Sequence, residues 1–192
     1  MSFDLKTSER ALKPQQARGP LRPRAASELR WAADEPRAGR PLLIDTTVYI
    51  DTLQGKTPAA VDDLLRYRSI FHSAICLAEL THAFGRLDPA NAATKAALAA
   101  IGGAIEQDIP RHRLFAPDTD SWGRAGMLAG KALRQGRIPP GQGRERKLLN
   151  DSLIYLQARR VGAAILTRNV RDFDLLEQLV PDGAVIFYRQ EL

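Results

Sequence analysis

The sequence contains few of the residues that define several common protein classes. It has one cysteine, Cys76, which excludes an internal disulfide and a multi-cysteine zinc site. Its three histidines, His72, His82 and His112, are too scattered to predict a histidine-based metal site. Aromatic residues make up 6% of the chain, and no cluster of them predicts a base-stacking platform for nucleic acid. We expect Cys76 and the histidines to have structural roles.

Long apolar runs are also missing. No stretch approaches the roughly 20 apolar residues that a membrane-spanning helix needs. The first residues lack the continuous apolar core of a signal peptide. We therefore expect a cytoplasmic protein without a membrane association. The chain has 192 residues, of which 44% are hydrophobic, and this is enough for one domain with a substantial core.

Positive charge is in excess and is unevenly distributed. The net charge is +6, which favours a polyanionic partner. Residues 1–40 hold nine Lys and Arg against five acids and contain four prolines, and their apolar residues show no period. This composition predicts a disordered basic N-terminal extension, followed by a catalytic or binding domain over residues 41–192. The extension either attracts nucleic acid, or is a solubilising tail, or results from a start codon placed too far upstream.

Residues 41–192 alternate between short apolar runs and helical patterns. Strands are predicted near 41–44, 69–74, 113–116, 163–167 and 184–188, with helices between them. Such alternation predicts an α/β fold in which helices cover both faces of a parallel sheet.

Four acids lie at or near the predicted strand ends. Asp45 follows the first strand, and Glu79 lies one turn into the helix after the second. Asp151 interrupts an apolar helical run, and Asp172 follows the fourth strand. Ligands of open α/β sheets bind beyond the carboxyl ends of the strands. Clustered carboxylates without His or Cys suit Mg²⁺ or Mn²⁺, which suggests metal-dependent phosphodiester hydrolysis.

Each acid also has a structural explanation. Asp45 and Thr47 are good helix caps, as is Asp172 before Phe173. Glu79 is a residue type found on solvated helix faces near an N-terminus. Asp151 has candidate ion-pair partners in Arg146, Lys147 and Arg168. The joint placement of the four acids is what favours a site.

Four segments match a known family in order and separation. They are Leu-Leu-Ile-Asp-Thr-Thr-Val-Tyr-Ile (42–50), Ala-Glu-Leu (78–80), Asn-Asp-Ser-Leu-Ile (150–154) and Thr-Arg-Asn-Val-Arg-Asp-Phe (167–173). With them, residues 42–188 resemble the PIN-domain ribonucleases, in particular the VapC-like toxins of type II toxin–antitoxin systems. The 40-residue extension is longer than such toxins usually carry.

The resemblance implies a fold, a site and partners. The fold is a three-layer α/β/α sandwich with a parallel five-stranded sheet. Asp45 and Asp151 would be the principal ligands of Mg²⁺ or Mn²⁺, Glu79 would bind the metal directly or through water, and Asp172 would complete the acidic pocket with Asn169 close by. Thr47 would hydrogen-bond a ligand acid or a phosphate. The partners would be an RNA substrate, a small cognate antitoxin and a second copy of the chain as a homodimer.

A basic segment precedes Asp151. Residues 131–147 contain six basic residues and one acid, Glu145. A basic rim beside an acidic site would help to hold RNA phosphates, although such a segment is also typical of a solvated helix end. The candidate RNA-binding residues are Lys131, Arg134, Arg137, Arg144, Arg146 and Lys147.

Two other functions remain open from the residues. One is a non-catalytic PIN-fold nucleic-acid-binding or scaffold protein, which would gain nothing from clustered acids. The other is an aspartate-based phosphatase. That chemistry often places a second Asp two residues after the first, where this chain has Thr47.

Overall fold

A computed structural model describes residues 3–16, 19–88, 90–139, 141, 143–181 and 183–190. Its centre is a sheet of five parallel strands in the order β3-β2-β1-β4-β5. The strands are β1 (Leu42–Ile44), β2 (Ile70–Ser73), β3 (Leu114–Phe115), β4 (Ala164–Thr167) and β5 (Val185–Phe187). The predicted α/β fold with a five-stranded parallel sheet is confirmed.

In the described part of the chain, eight α-helices accompany the strands. They are α1 (Leu5–Leu12), α2 (Thr46–Leu53), α3 (Ala59–Tyr67), α4 (Ala74–Arg86), α5 (Ala92–Asp108), α6 (Thr119–Gln135), α7 (Arg144–Arg160) and α8 (Val170–Leu179). The Ala-rich helix α5 is capped by Asn91, and Pro89 lies outside the described residues. Among the described residues, none of these helices has the length and apolar character needed to cross a membrane.

The central strands are apolar because both of their faces are covered. Leu42 and Leu43 of β1, and Leu166 of β4, are completely buried. Parallel strands covered on both faces are near-continuous apolar runs, as these are. Cys76 is buried in the same core, where its thiol donates a weak hydrogen bond to the Ile44 carbonyl. His72 is likewise buried, with Nδ1 2.6 Å from the Tyr49 hydroxyl.

The strand order reverses between β1 and β4. From β1 the chain proceeds outward through β2 and β3, and it then returns to β4 on the other side of β1. Because crossovers between parallel strands are right-handed, the two halves place their helices on opposite faces. A crevice therefore opens beyond the carboxyl ends of β1 and β4, which is where ligands of such sheets bind.

The N-terminal extension differs from the expected disordered tail. Leu12, Leu29 and Ala32 are buried in it, and α1 packs on α6. Phe3 packs so closely on Gly123 of α6 that a Cβ at that position would have no room. The extension is thus held by apolar burial, which its own aperiodic sequence did not reveal. Residues 1–2 and 17–18, including Arg18 of the basic set, lie outside the described residues.

The rest of the extension follows the edge of the sheet. Arg24 forms ion pairs with Asp174, at 2.5 Å, and with Glu177 of α8. Trp31 forms a parallel bridge with Phe187 of β5, whose amide donates to the Arg30 carbonyl at 2.8 Å. These contacts cover the edge of β5, which would otherwise offer unpaired backbone groups.

Candidate active site

The four predicted acids come from four different elements and meet at the crevice. Asp45 follows β1 and Glu79 lies on α4, while Asp151 lies on α7 and Asp172 on α8. Asp45, Asp151 and Asp172 are buried, with 4%, 4% and 6% of their surface exposed. Glu79 is half-buried. The parallel sheet brings the first acid to the switch point, and the packing of α4, α7 and α8 brings the others to it.

Hydroxyl groups hold Asp45. Its Oδ2 accepts a hydrogen bond from Thr47 at 2.8 Å and another from Thr167 at 2.8 Å. Burial raises the pKa of Asp45, the two hydroxyls oppose that rise, and the charge of Glu79 adds to it. Asp45 occupies the N-cap position of α2, but its side chain makes no capping hydrogen bond. Its carboxylate contacts the two hydroxyls instead.

Glu79 is held in the same way from two sides. Its Oε2 accepts from the Thr46 hydroxyl at 2.5 Å, and its Oε1 accepts from the Asn150 amide at 2.7 Å. Asn150 directly precedes Asp151, so one turn of α7 serves both acids. The solvated role considered for Glu79 does not match these contacts.

Asn169 joins the other two acids. Its Nδ2 donates to Asp151 Oδ2 and to Asp172 Oδ2, at 3.1 Å in each case. Its Oδ1 accepts from the backbone of Asp172, which makes Asn169 the N-cap of α8. The capping role considered for Asp172 therefore belongs to Asn169, and Asp172 is free to face the cluster.

The two acids bound by Asn169 differ in their electrostatics. Burial raises the pKa of Asp151 well above its usual value, and the charges of Asp45 and Asp172 raise it further. Burial also acts on Asp172, but hydrogen bonds from Asn169 and Lys147 outweigh it and lower the pKa of Asp172. The Lys147 ammonium lies 3.1 Å from Asp172 Oδ2. The Lys147 charge also acts on Asp151, but it does not offset burial and the neighbouring acids.

The donor set suits a hard divalent cation. The charge of Glu79 raises the pKa of Asp45, and the charges of Asp45 and Asp172 raise that of Asp151, so a positive ion would relieve this repulsion. Carboxylate oxygen is also the ligand type that Mg²⁺ and Mn²⁺ prefer. Within the described ranges, no three acidic, His or Cys side chains stand close enough together to hold a metal ion. The carboxylates instead contact the hydroxyls, amides and ammonium described above.

The predicted basic segment divides into two parts. Arg144, Arg146 and Lys147 line cavities beside the acids. Lys131 and Arg134 lie elsewhere, because the buried Lys131 ammonium donates to the Leu12 carbonyl at 2.7 Å and Arg134 donates to the Pro14 carbonyl. These two side chains hold the N-terminal extension, so they are not placed at the predicted rim. Arg137 is exposed just beyond α6, with φ of 49°.

A fifth acid, Asp51, was missed by the sequence reasoning. Asp51 on α2 is completely buried and accepts from Arg168 Nε at 2.8 Å, from the Tyr188 hydroxyl at 2.8 Å and from Gln190 at 2.6 Å. It faces the sheet behind the site and orders the loop after β4. The one signal of Asp51 in the sequence is its position within the apolar run of α2. An acid at such a position is expected to be buried and to need hydrogen-bond partners.

Comparison with known proteins identifies the fold. No protein-family model and no curated protein matches the sequence. Among solved structures, a chain of VapBC2 from Rickettsia felis, bound to a DNA fragment from their promoter, aligns with a TM-score of 0.53 and 14% identity. The alignment covers 78% of this chain and 99% of that one. The chain has a PIN-like fold.

Two further structures agree. A chain of the DNA-bound VapBC from Salmonella typhimurium has a TM-score of 0.52 and 21% identity, over 77% of this chain and 97% of that one. A chain of FitAB bound to an IR36 DNA fragment has a TM-score of 0.52 and 18% identity, over 75% of this chain and 92% of that one. The PIN-like fold thus accounts for about three quarters of this chain. At these identities the likeness concerns the fold alone.

Proposed function

We propose that this protein is an endoribonuclease that depends on Mg²⁺ or Mn²⁺ and acts as the toxin of a toxin–antitoxin pair. The observation that carries the activity is the meeting of Asp45, Glu79, Asp151 and Asp172 at the carboxyl ends of β1 and β4. The PIN-like fold and the VapBC and FitAB complexes that share it support the toxin role.

The acids have separate roles in this proposal. Asp45 and Asp151, which are deeply buried and have raised pKa values, would be the principal metal ligands. Glu79 and Asp172 would complete the set from the two sides. When bound, the ion lowers the pKa of a water molecule and neutralises negative charge on the phosphodiester.

The neighbouring polar side chains position the acids. Thr47 and Thr167 hold the carboxylate of Asp45, and Asn169 holds those of Asp151 and Asp172. These bonds reduce the rotamer freedom that the acids would lose on binding an ion. They also keep the carboxylates ready to accept a positive charge. Thr47 donates its one hydroxyl proton to Asp45, so in this proposal it holds a ligand acid.

RNA cleavage tests the activity. Purified protein is expected to cleave RNA with Mg²⁺ or Mn²⁺ and to lose that activity with EDTA. Asp45→Asn and Asp151→Asn should each reduce the rate by at least about 100-fold, because each removes a carboxylate ligand. Asp62→Asn is the matched control, since Asp62 is exposed and its side chain accepts a hydrogen bond from Thr57 and not from a residue of the acid cluster.

Metal binding gives a second measurement that does not depend on turnover. Mg²⁺ or Mn²⁺ should raise the thermal unfolding midpoint of the wild-type protein and of Asp62→Asn, but not that of Asp45→Asn. Undiminished cleavage by both Asp45→Asn and Asp151→Asn would contradict the assigned site. Metal-stimulated cleavage would exclude a purely nucleic-acid-binding role.

The partners are tested separately. We expect a small antitoxin, encoded immediately upstream, to co-purify with this chain and to inhibit its ribonuclease activity. We also expect a homodimer, which light scattering would detect as twice the mass of the 21.2 kDa chain. If the co-expressed upstream product neither binds nor inhibits this chain, the toxin assignment is contradicted. The nuclease assignment is tested independently, by the cleavage and metal-binding measurements.

A further inference from the structure

Two cavities flank the acid cluster. The first, here called the Asp172 cavity, has a volume of about 290 Å³. Arg144, Arg171 and Asn169 line it together with Asp172. Arg171 was not among the residues that the sequence predicted to bind RNA. It comes from the first turn of α8, so the same helix supplies one acid and one base to this cavity.

The second, the Glu79 cavity, has a volume of about 340 Å³ and lies on the other side. Arg146, His82 and Asn150 line it together with Glu79. As in the first cavity, one acid of the cluster stands beside basic or polar side chains. Each cavity therefore contains one of the two acids that flank Asp45 and Asp151.

The first turn of α7 forms the ridge between the cavities. Gly143 and Lys147 line both of them. Arg144 faces the Asp172 cavity and Arg146 faces the Glu79 cavity. Successive basic residues of one helical turn are thus distributed to the two sides, with Lys147 between them.

The charge of each cavity indicates an anionic ligand. The Asp172 cavity has three basic side chains against one acid, and the Glu79 cavity has two against one, with Lys147 counted in both. A ligand with one phosphate can occupy only one cavity. A strand with successive phosphates can occupy both while it presents the phosphate between them to the acids. Basic contacts on both sides would offset the repulsion that the acids exert on that strand.

We propose that a single RNA strand lies across the ridge with one flanking phosphate in each cavity, bound by Arg171 and Arg144 on one side and by Arg146 on the other. This inference rests on the proposed ribonuclease function. An unpaired strand can bend over a ridge, whereas a duplex is stiff over such a length. None of the described lining residues is aromatic, so the cavities bind phosphates rather than stack bases.

Binding without turnover tests this proposal. The probe is a 2′-O-methylated oligonucleotide of six residues, measured in EDTA at low salt. Arg171→Gln and Arg146→Gln should each weaken binding about tenfold and lower the salt dependence by about one phosphate contact. The double variant should lose about 100-fold, because both cavities act on the same strand. Arg111→Gln, at an exposed arginine outside both cavities, should bind like the wild-type protein.

A dinucleotide with one phosphate provides the decisive comparison. Either cavity can hold it, so each single variant should change its affinity by less than about twofold, which is the statistical factor for losing one of two sites. The proposal is overturned if both single variants bind the six-residue strand like the wild-type protein. It is also overturned if the double variant loses no more than a single one. If the strand binds both cavities but the protein does not cleave RNA with metal, the nuclease activity is refuted and the two-cavity binding is not.

Discussion

Arg168 and Asp51 form a hydrogen-bonded ion pair in which Nε of Arg168 donates to Oδ2 of Asp51 at 2.8 Å. Asp51 lies on α2 and is completely buried, whereas 38% of the Arg168 side chain is exposed. Arg168 stands between Thr167, the last residue of β4, and Asn169, and both of these residues contact the acids. The ion pair therefore fixes that loop relative to α2 and supports the candidate active site from behind.

Replacing Asp51 should weaken both the fold and the site. Asp51→Asn removes the charge that Arg168 faces and leaves one of three donors without a good acceptor. We expect the free energy of unfolding to fall by about 1–3 kcal/mol, and RNA cleavage to fall because the loop after β4 is less ordered. Chemical denaturation and cleavage rates measure these effects. Asp62→Asn should change stability by less than about 0.5 kcal/mol, and equal stability of Asp51→Asn and wild type would contradict the supporting role.

Asp151→Asn should stabilise the protein when no metal is bound. Burial and two neighbouring acids raise the pKa of Asp151, so the ionised carboxylate opposes folding at neutral pH. We expect a gain of about 1–2 kcal/mol at pH 7 in EDTA. The gain should shrink as the pH falls toward the usual aspartate value of 3.8, because the wild-type carboxyl then becomes neutral.

Asp172→Asn is the matched comparison and should have the opposite sign. Asn169 and Lys147 outweigh burial and lower the pKa of Asp172, so its ionised form favours folding at neutral pH. That stability is present above pH 3.8 and is lost as the pH falls through the lowered pKa. Thermal unfolding of both variants from pH 4 to pH 8 measures the two effects. If both variants change stability in the same way, the assigned pKa directions of Asp151 and Asp172 are wrong.

Asn169→Asp should lower the stability of the metal-free protein and raise its affinity for Mg²⁺. The substitution replaces an amide that donates to Asp151 and Asp172 with a further carboxylate. We expect a lower unfolding midpoint in EDTA, because like charges repel, and a larger rise on addition of Mg²⁺ than in the wild-type protein. Asn91→Asp is the control, since Asn91 caps α5 in an exposed position and should tolerate the charge. An unchanged response to Mg²⁺ would contradict the role of Asn169 in the cluster.

The N-terminal extension should contribute measurably to stability. Leu12 is 5% exposed and Leu5, on the same helix, is 52% exposed. Leu12→Ala is expected to cost about 2–3 kcal/mol, because it leaves a cavity between α1 and α6, whereas Leu5→Ala should cost less than about 0.5 kcal/mol. Denaturant unfolding of the two variants measures the difference. Equal small effects would mean that α1 adds nothing to the folded state.

The alternation of strands and helices could be predicted because each element has a local signal. Apolar runs such as 42–44 indicate buried strands, and the helical spacing of residues 145–161 predicts α7 to within one residue at each end. The extension could not be predicted in this way. Its partners, Gln135 for Leu21 and Asp174 for Arg24, lie more than 100 residues away, and no local period reports such contacts.

The sequence by itself determined the fold class and the identity of the four acids, because strand ends and interrupted apolar runs are local patterns. Only the tertiary structure decided which polar groups those acids contact. It assigned Lys131 and Arg134 to the extension, Lys147 to Asp172 and Arg168 to Asp51. A basic side chain extends far enough to reach several neighbours, so charge along the chain cannot distinguish a cation that faces a substrate from one that holds the fold together.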